Sequence, residues 1–146
     1  MKMKKIFFAT LMLFASLVSF GQKIAPDQIV GVWKSDEYKI EIFKSGTTYS
    51  GKLLWSKDLF EADGKTSKKD TENPDKKLRS RPREGVTHIT GLTFEDGEFV
   101  GGKLYSVKDG NTYNLKGQLK GANNLDTRGY KGIPMMGKTV NWTRAK

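Results

Sequence analysis

The sequence contains no cysteine. No disulfide can brace the fold, and no thiolate is present to bind a metal or attack a substrate. It has a single histidine, His88, and one histidine without cysteine cannot build a zinc site. Neither a nucleophile-elbow motif nor a cluster of carboxylates suited to acid–base work stands out; the acidic residues fall mostly in turns. No metal and no cofactor are expected, and a catalytic centre is not evident. Helical periodicity never persists beyond two turns after the N-terminal segment. Internal repeats and low-complexity tracts are missing too. The one long apolar run, Ile6 to Phe20, falls short of the ~20 residues that a spanning helix needs.

That run has the layout of a secretory signal. Lys2, Lys4 and Lys5 precede it, and Ser19-Phe20-Gly21 follows with small residues where a peptidase inspects the chain. Cleavage before Gln22 is expected, making 1–21 a signal peptide and 22–146 the mature domain. No cysteine is available for a lipid anchor, and no transmembrane anchor is expected after cleavage. The expected location is periplasmic or secreted.

Acidic residues are scarce in one region. Between residues 100 and 146 stand Lys103, Lys108, Lys116, Lys120, Arg128, Lys131, Lys138, Arg144 and Lys146, against only Asp109 and Asp126. This excess contributes much of the formal net charge of +10. It serves solubility, and it equally suits an anionic envelope component such as acidic polysaccharide or lipid head groups. Nucleic acid is not an expected partner for an exported chain.

What the sequence does have is alternation of period two, punctuated by turn dipeptides. In Tyr38 to Phe43, residues Tyr38, Ile40 and Ile42 share one face. Ser45-Gly46, Asp96-Gly97 and Asp109-Gly110 mark tight turns. Eight strands are expected: Ile29–Lys34, Tyr38–Phe43, Thr47–Trp55, Thr87–Phe94, Glu98–Val107, Asn111–Lys120, Leu125–Lys131 and Gly137–Arg144. An all-β antiparallel meander of that length escapes exposed edges by closing into a small barrel. One connection, residues 56–86, is long, charged and rich in turn formers, and loops of this kind are usually functional or disordered.

Gly31-Val32-Trp33 opens the first strand and Trp142-Thr143-Arg144 ends the last. In a closed barrel these strands are neighbours, so Arg144 can lie over the Trp33 indole. Trp33, Trp142 and Arg144 are thus structural candidates. The arrangement resembles the calycin superfamily, the lipocalins and their relatives. A wider resemblance rests on Gly51-Lys52-Leu53-Leu54-Trp55, Asp70-Thr71-Glu72-Asn73-Pro74-Asp75, Leu78-Arg79-Ser80-Arg81-Pro82 and Gly101-Gly102-Lys103-Leu104-Tyr105. It continues through Asp109-Gly110-Asn111-Thr112-Tyr113, Arg128-Gly129-Tyr130-Lys131-Gly132 and Gly137 to Arg144. Together these runs resemble the bacterial domain-of-unknown-function family 2147. The resemblance implies an exported small β domain and no particular activity. Ser106-Val107 and Arg83 depart from its pattern, which tends to Asp-Pro and an aliphatic residue there.

Candidate ligand contacts gather on the long loop. Arg79 and Arg81, spaced to point the same way on an extended segment, could clamp a carboxylate, sulfate or phosphate. Pro82 keeps Arg81 extended. Asn73 and Trp55 flank them, with Arg128 and Tyr130 beside a glycine-rich turn as further candidates. The alternative role for the arginines is pairing with Asp70, Glu72 or Asp75 to order the loop. His88 is expected to be a hydrogen-bonded structural residue sharing a face with Thr90, Leu92 and Phe94. The interior of so small a barrel is expected to be filled by its own side chains, leaving a shallow pocket near the loop. The leading expectation is a binding module for a small anionic or carbohydrate-like ligand. The others are an envelope interaction protein using its basic surface, and an enzyme of unassigned type.

Overall fold

The computed structural model describes residues 24–146; the expected signal peptide and its cleavage site lie outside the described residues. The alternating segments form β1 (Gly31–Lys34), β2 (Tyr38–Ser45), β3 (Thr48–Ser56) and β4 (Thr87–Glu95). They continue as β5 (Glu98–Tyr105), β6 (Thr112–Leu119), β7 (Asn124–Tyr130) and β8 (Lys138–Arg144). The strands pair in sequence order, and β8 returns antiparallel to β1, closing the barrel. The expected eight-strand closed meander is the observed fold.

The two ends of the barrel differ. At one end tight turns join the strands, and a 3-10 turn, Pro26–Ile29, crosses beneath them. Pro26 suits the first turn because its fixed φ is already helical and its missing N–H costs nothing there. This turn displaces the expected start of the first strand from Ile29 to Gly31. Ile29 is fully buried as a plug, and its carbonyl accepts a hydrogen bond of 2.8 Å from Trp33 Nε1. Arg144 lies 4.3 Å from the Trp33 ring centroid. Its guanidinium also donates to the carbonyls of Ala122, Val30 and Gln28. Gly31 is required beside it: φ is +136°, and a Cβ there would sit 2.6 Å from Arg144 Nη1. The Gly-x-Trp pattern and the late arginine are therefore one closure.

Above this floor the core is dense. Ile40, Ile42, Tyr49, Leu92, Phe99, Leu119 and Leu125 are all buried. Phe99 meets Tyr49 edge-on at 5.6 Å and Phe94 at 5.0 Å, aromatic geometries that add to burial. Tyr49 donates a short hydrogen bond to Asp27, tying the 3-10 turn to β3.

The other end carries the longer connections, including residues 57–86. That loop is folded. Leu59 is fully buried in the core, which contributes roughly 1.5–3 kcal/mol. Short bridges join Phe60 to Ser67 and Lys69 to Pro82. The β1–β8 seam pairs only at Trp33 with Arg144 and Lys34 with Thr143. Among the described residues, Lys138–Asn141 therefore has no strand partner on that side, and an open groove of about 520 Å³ runs along it.

Along β4 the expected face is broken. Ile89 and Leu92 are buried while Thr90 is exposed. Gly91 takes a positive φ of 73°, and the β3 register shifts opposite Thr87 to Ile89. Bulges of this kind re-aim side chains. His88 is consequently not in line with Thr90, Leu92 and Phe94.

Candidate functional site

The inward face of β7 tapers toward the longer-looped end. On β7 the successive inward residues are Leu125, Thr127 and Gly129, each smaller than the last. The volume those side chains do not fill is a cavity of about 530 Å³ opening at that end. Its walls include Leu53, Ile89, Leu104, Leu115, Val140 and Trp142. Tyr38 and Tyr113 add aromatic faces whose hydroxyls bring polarity. The expectation of an interior filled by its own side chains holds for the floor half only.

Polar groups are few inside. Trp142 Nε1 is satisfied by Thr127 Oγ1 at 2.8 Å. His88 lines the cavity, and its Nδ1 is the buried side-chain polar atom without a hydrogen-bond partner among the described residues. Burial pushes the His88 imidazole down to about 4, against the opposing pull of the Gly51 and Val86 carbonyls. It is neutral at pH 7. A neutral ring carries one donor and one acceptor. The expected hydrogen-bonded structural histidine leaves its Nδ1 unpaired among the described residues.

Charges stand at the rim. Lys57, Arg83, Lys108 and Lys138 face the opening together with Glu37, Asp58 and Asp109. Lys138 approaches Glu37 at 4.0 Å, and Arg83 Nε donates to the Lys69 carbonyl. Lys57 and Lys108 make no ion pair among the described residues.

The loop candidates lie elsewhere. Asp70 has no solvent exposure. Its carboxylate accepts from Asn73 Nδ2 and Arg81 Nε, each at 2.9 Å, and from Tyr105 OH at 2.6 Å. Burial works to raise the Asp70 carboxyl, but these three donors together hold it below the usual carboxylate range. Burial and the same carboxylate push Tyr105 up to about 12. Arg79 Nε donates to the Asn73 carbonyl at 2.7 Å. Both arginines therefore order the loop, and neither lines the cavity. Trp55 is partly exposed at the end of β3, outside the cavity wall. Arg128 holds the β7–β8 turn through the carbonyls of Pro134 and Met135 and the Thr139 hydroxyl. Tyr130 is half-buried and does not line the cavity. Sequence reasoning missed the lining residues, above all Tyr38, His88, Leu104 and Tyr113. The signal available was the taper on β7.

Among the described residues no group of three histidine, cysteine or carboxylate side chains is placed to hold a metal ion. No helix there is long and apolar enough to cross a membrane. The chain is similar to a solved protein of the human pathogen Helicobacter pylori, described as belonging to the lipocalin family. The two share 27% identity over 81% of this chain and 83% of that one, with a TM-score of 0.70. No curated protein matches. Residues 31–144 match the family model described as an uncharacterized protein conserved in bacteria, DUF2147. That stretch runs from the glycine beneath Arg144 to Arg144 itself, the whole barrel, and the chain belongs to this family.

Proposed function

We propose that the chain is an exported binding module that holds one amphipathic small molecule. The apolar body lies among Leu53, Leu104 and Val140, and an anionic end meets Lys57 and Lys108 at the rim. The observation that carries this reading is the cavity of about 530 Å³ above a filled floor. Ligand pockets usually occupy ~300–1,000 Å³, with mainly apolar walls and a few placed polar groups. A carbohydrate would need many more inward hydrogen-bonding groups than Tyr38, Tyr113 and His88 supply. The lipocalin-like neighbour supports a small-ligand role for the fold, and the rim cations favour an anionic end.

Native mass spectrometry of the protein purified from its own host tests the reading. The wild type is expected to carry a bound small molecule that Leu104→Trp, which narrows the cavity, retains in lower amount. Arg79→Ala and Arg81→Ala are expected to keep it. A ligand retained in full by Leu104→Trp and lost from the arginine variants would move the site to the loop. Export is checked separately by intact mass, which is expected to begin at Gln22.

A further inference from the structure

The turn between β7 and β8 presents apolar side chains to solvent. Ile133, Met135 and Met136 are 57%, 85% and 77% exposed, the most exposed large hydrophobic residues among those described. Scattered apolar residues on a surface need no explanation, but three within four positions of one turn do. The turn is not slack. Pro134 opens a 3-10 turn, and Arg128 ties down the carbonyls of Pro134 and Met135. The apolar tips are thus held outward by a buttress.

The surroundings are cationic. From Arg128 to Lys146 the sequence has no acidic residue, while Lys131 and Lys138 bracket the apolar tip. Lys131 is held over the Tyr113 ring at 5.0 Å, leaving its ammonium on the same end of the barrel. Opposing charge at this end comes from Glu37, 4.0 Å from Lys138, and from Asp109, which accepts from the Tyr113 hydroxyl beneath Lys131 and is partly offset by that ammonium. Apolar tips framed by cations match the boundary of an anionic bilayer, where acyl chains lie beneath phosphate groups. Lys138 also stands on the cavity rim, so this surface adjoins the opening.

We propose that the Lys131–Lys138 turn docks the barrel, mouth first, on an anionic phospholipid surface, with Ile133, Met135 and Met136 entering the acyl boundary. This docking does not depend on what the cavity holds.

The absence of cysteine makes a site-specific probe available. An environment-sensitive fluorophore is attached to Met135→Cys, and in a second protein to Thr47→Cys at the opposite end. Each is titrated with phosphatidylglycerol–phosphatidylcholine vesicles. The expected result is a blue shift and protection from an aqueous quencher at position 135, with position 47 remaining in water. Adding Lys131→Glu, which removes one cation and adds one anion at the surface, should weaken partitioning about thirtyfold, and pure phosphatidylcholine should weaken it at least as much. The far-end probe controls for membrane binding through the apolar N-terminal run, because the chain enters the barrel at that end. No shift at 135, equal shifts at both positions, or a shift at 47 alone would overturn the proposal. A shift at 135 without vesicles would assign the turn to self-association and overturn it as well.

Discussion

Asp70 and His88 both link stability to acid, and they act over different ranges. Asp70 titrates lower in the folded chain than its ordinary value of 3.8. Its contribution is present above that value and is lost as pH falls through the folded one. His88 titrates at about 4 when folded against 6.5 when free. Between these values the unfolded chain binds a proton that the folded chain does not. Stability therefore falls from pH 6.5 to 4, by at most about 3 kcal/mol from this residue. Urea unfolding at pH 7, 5 and 4 should show the decline, and His88→Gln should flatten it. Removing Asp70 is more severe at neutral pH. Asp70→Ala leaves Arg81, Asn73 and Tyr105 without their acceptor. Because the Arg81 side chain is 34% exposed and can turn to water, the cost is about 2–3 kcal/mol, below that of breaking a fully buried pair. Equilibrium unfolding at pH 7 measures it. An effect below 1 kcal/mol would mean that the loop finds other partners.

At the scale of elements, the 57–86 loop is fastened at Gly110 as well as at Asp70. Gly110 has φ +74°, and a Cβ there would come within 2.0 Å of the Glu72 carbonyl oxygen. Gly110→Ala should lift the loop, at a cost of roughly 1–3 kcal/mol. Amide exchange over residues 70–81 should accelerate while β2 and β6 stay protected. Uniform acceleration would show that loop and barrel unfold together. On β8, Trp142→Ala removes a buried ring and its bond to Thr127, and should cost about 3–5 kcal/mol in the same unfolding assay. The strands were legible because period-two alternation and Gly-containing turns fix them locally. The closure was legible because Gly31, Trp33 and Arg144 sit at the two termini of the pattern. The pairing of Arg81 with Asp70 was legible as the alternative role of the loop arginines; the third donor was not, since Tyr105 lies 35 residues from Asp70 and only the folded barrel brings them together. The bulge on β4 was hidden for a related reason. Gly91 interrupts an alternation that Thr90, Leu92 and Phe94 otherwise suggest.

For the whole molecule, the barrel works as a cup with a sealed floor. Trp33, Arg144 and Ile29 close one end, and decreasing side-chain size along β7 opens the other. The taper on β7 pointed to an opening at that end, but the cavity's volume escaped the sequence because it depends on which inward residues face each other across the barrel. The central claim is that this interior binds the apolar part of an amphipathic ligand, which is tested most directly by calorimetric titration with straight-chain carboxylates of increasing length. Each buried methylene contributes about 0.8 kcal/mol. The account predicts affinity rising about fourfold per methylene until the cavity is filled, then levelling, with Leu104→Trp shifting the plateau to shorter chains. Affinity independent of chain length, or a plateau that Leu104→Trp leaves in place, would contradict it.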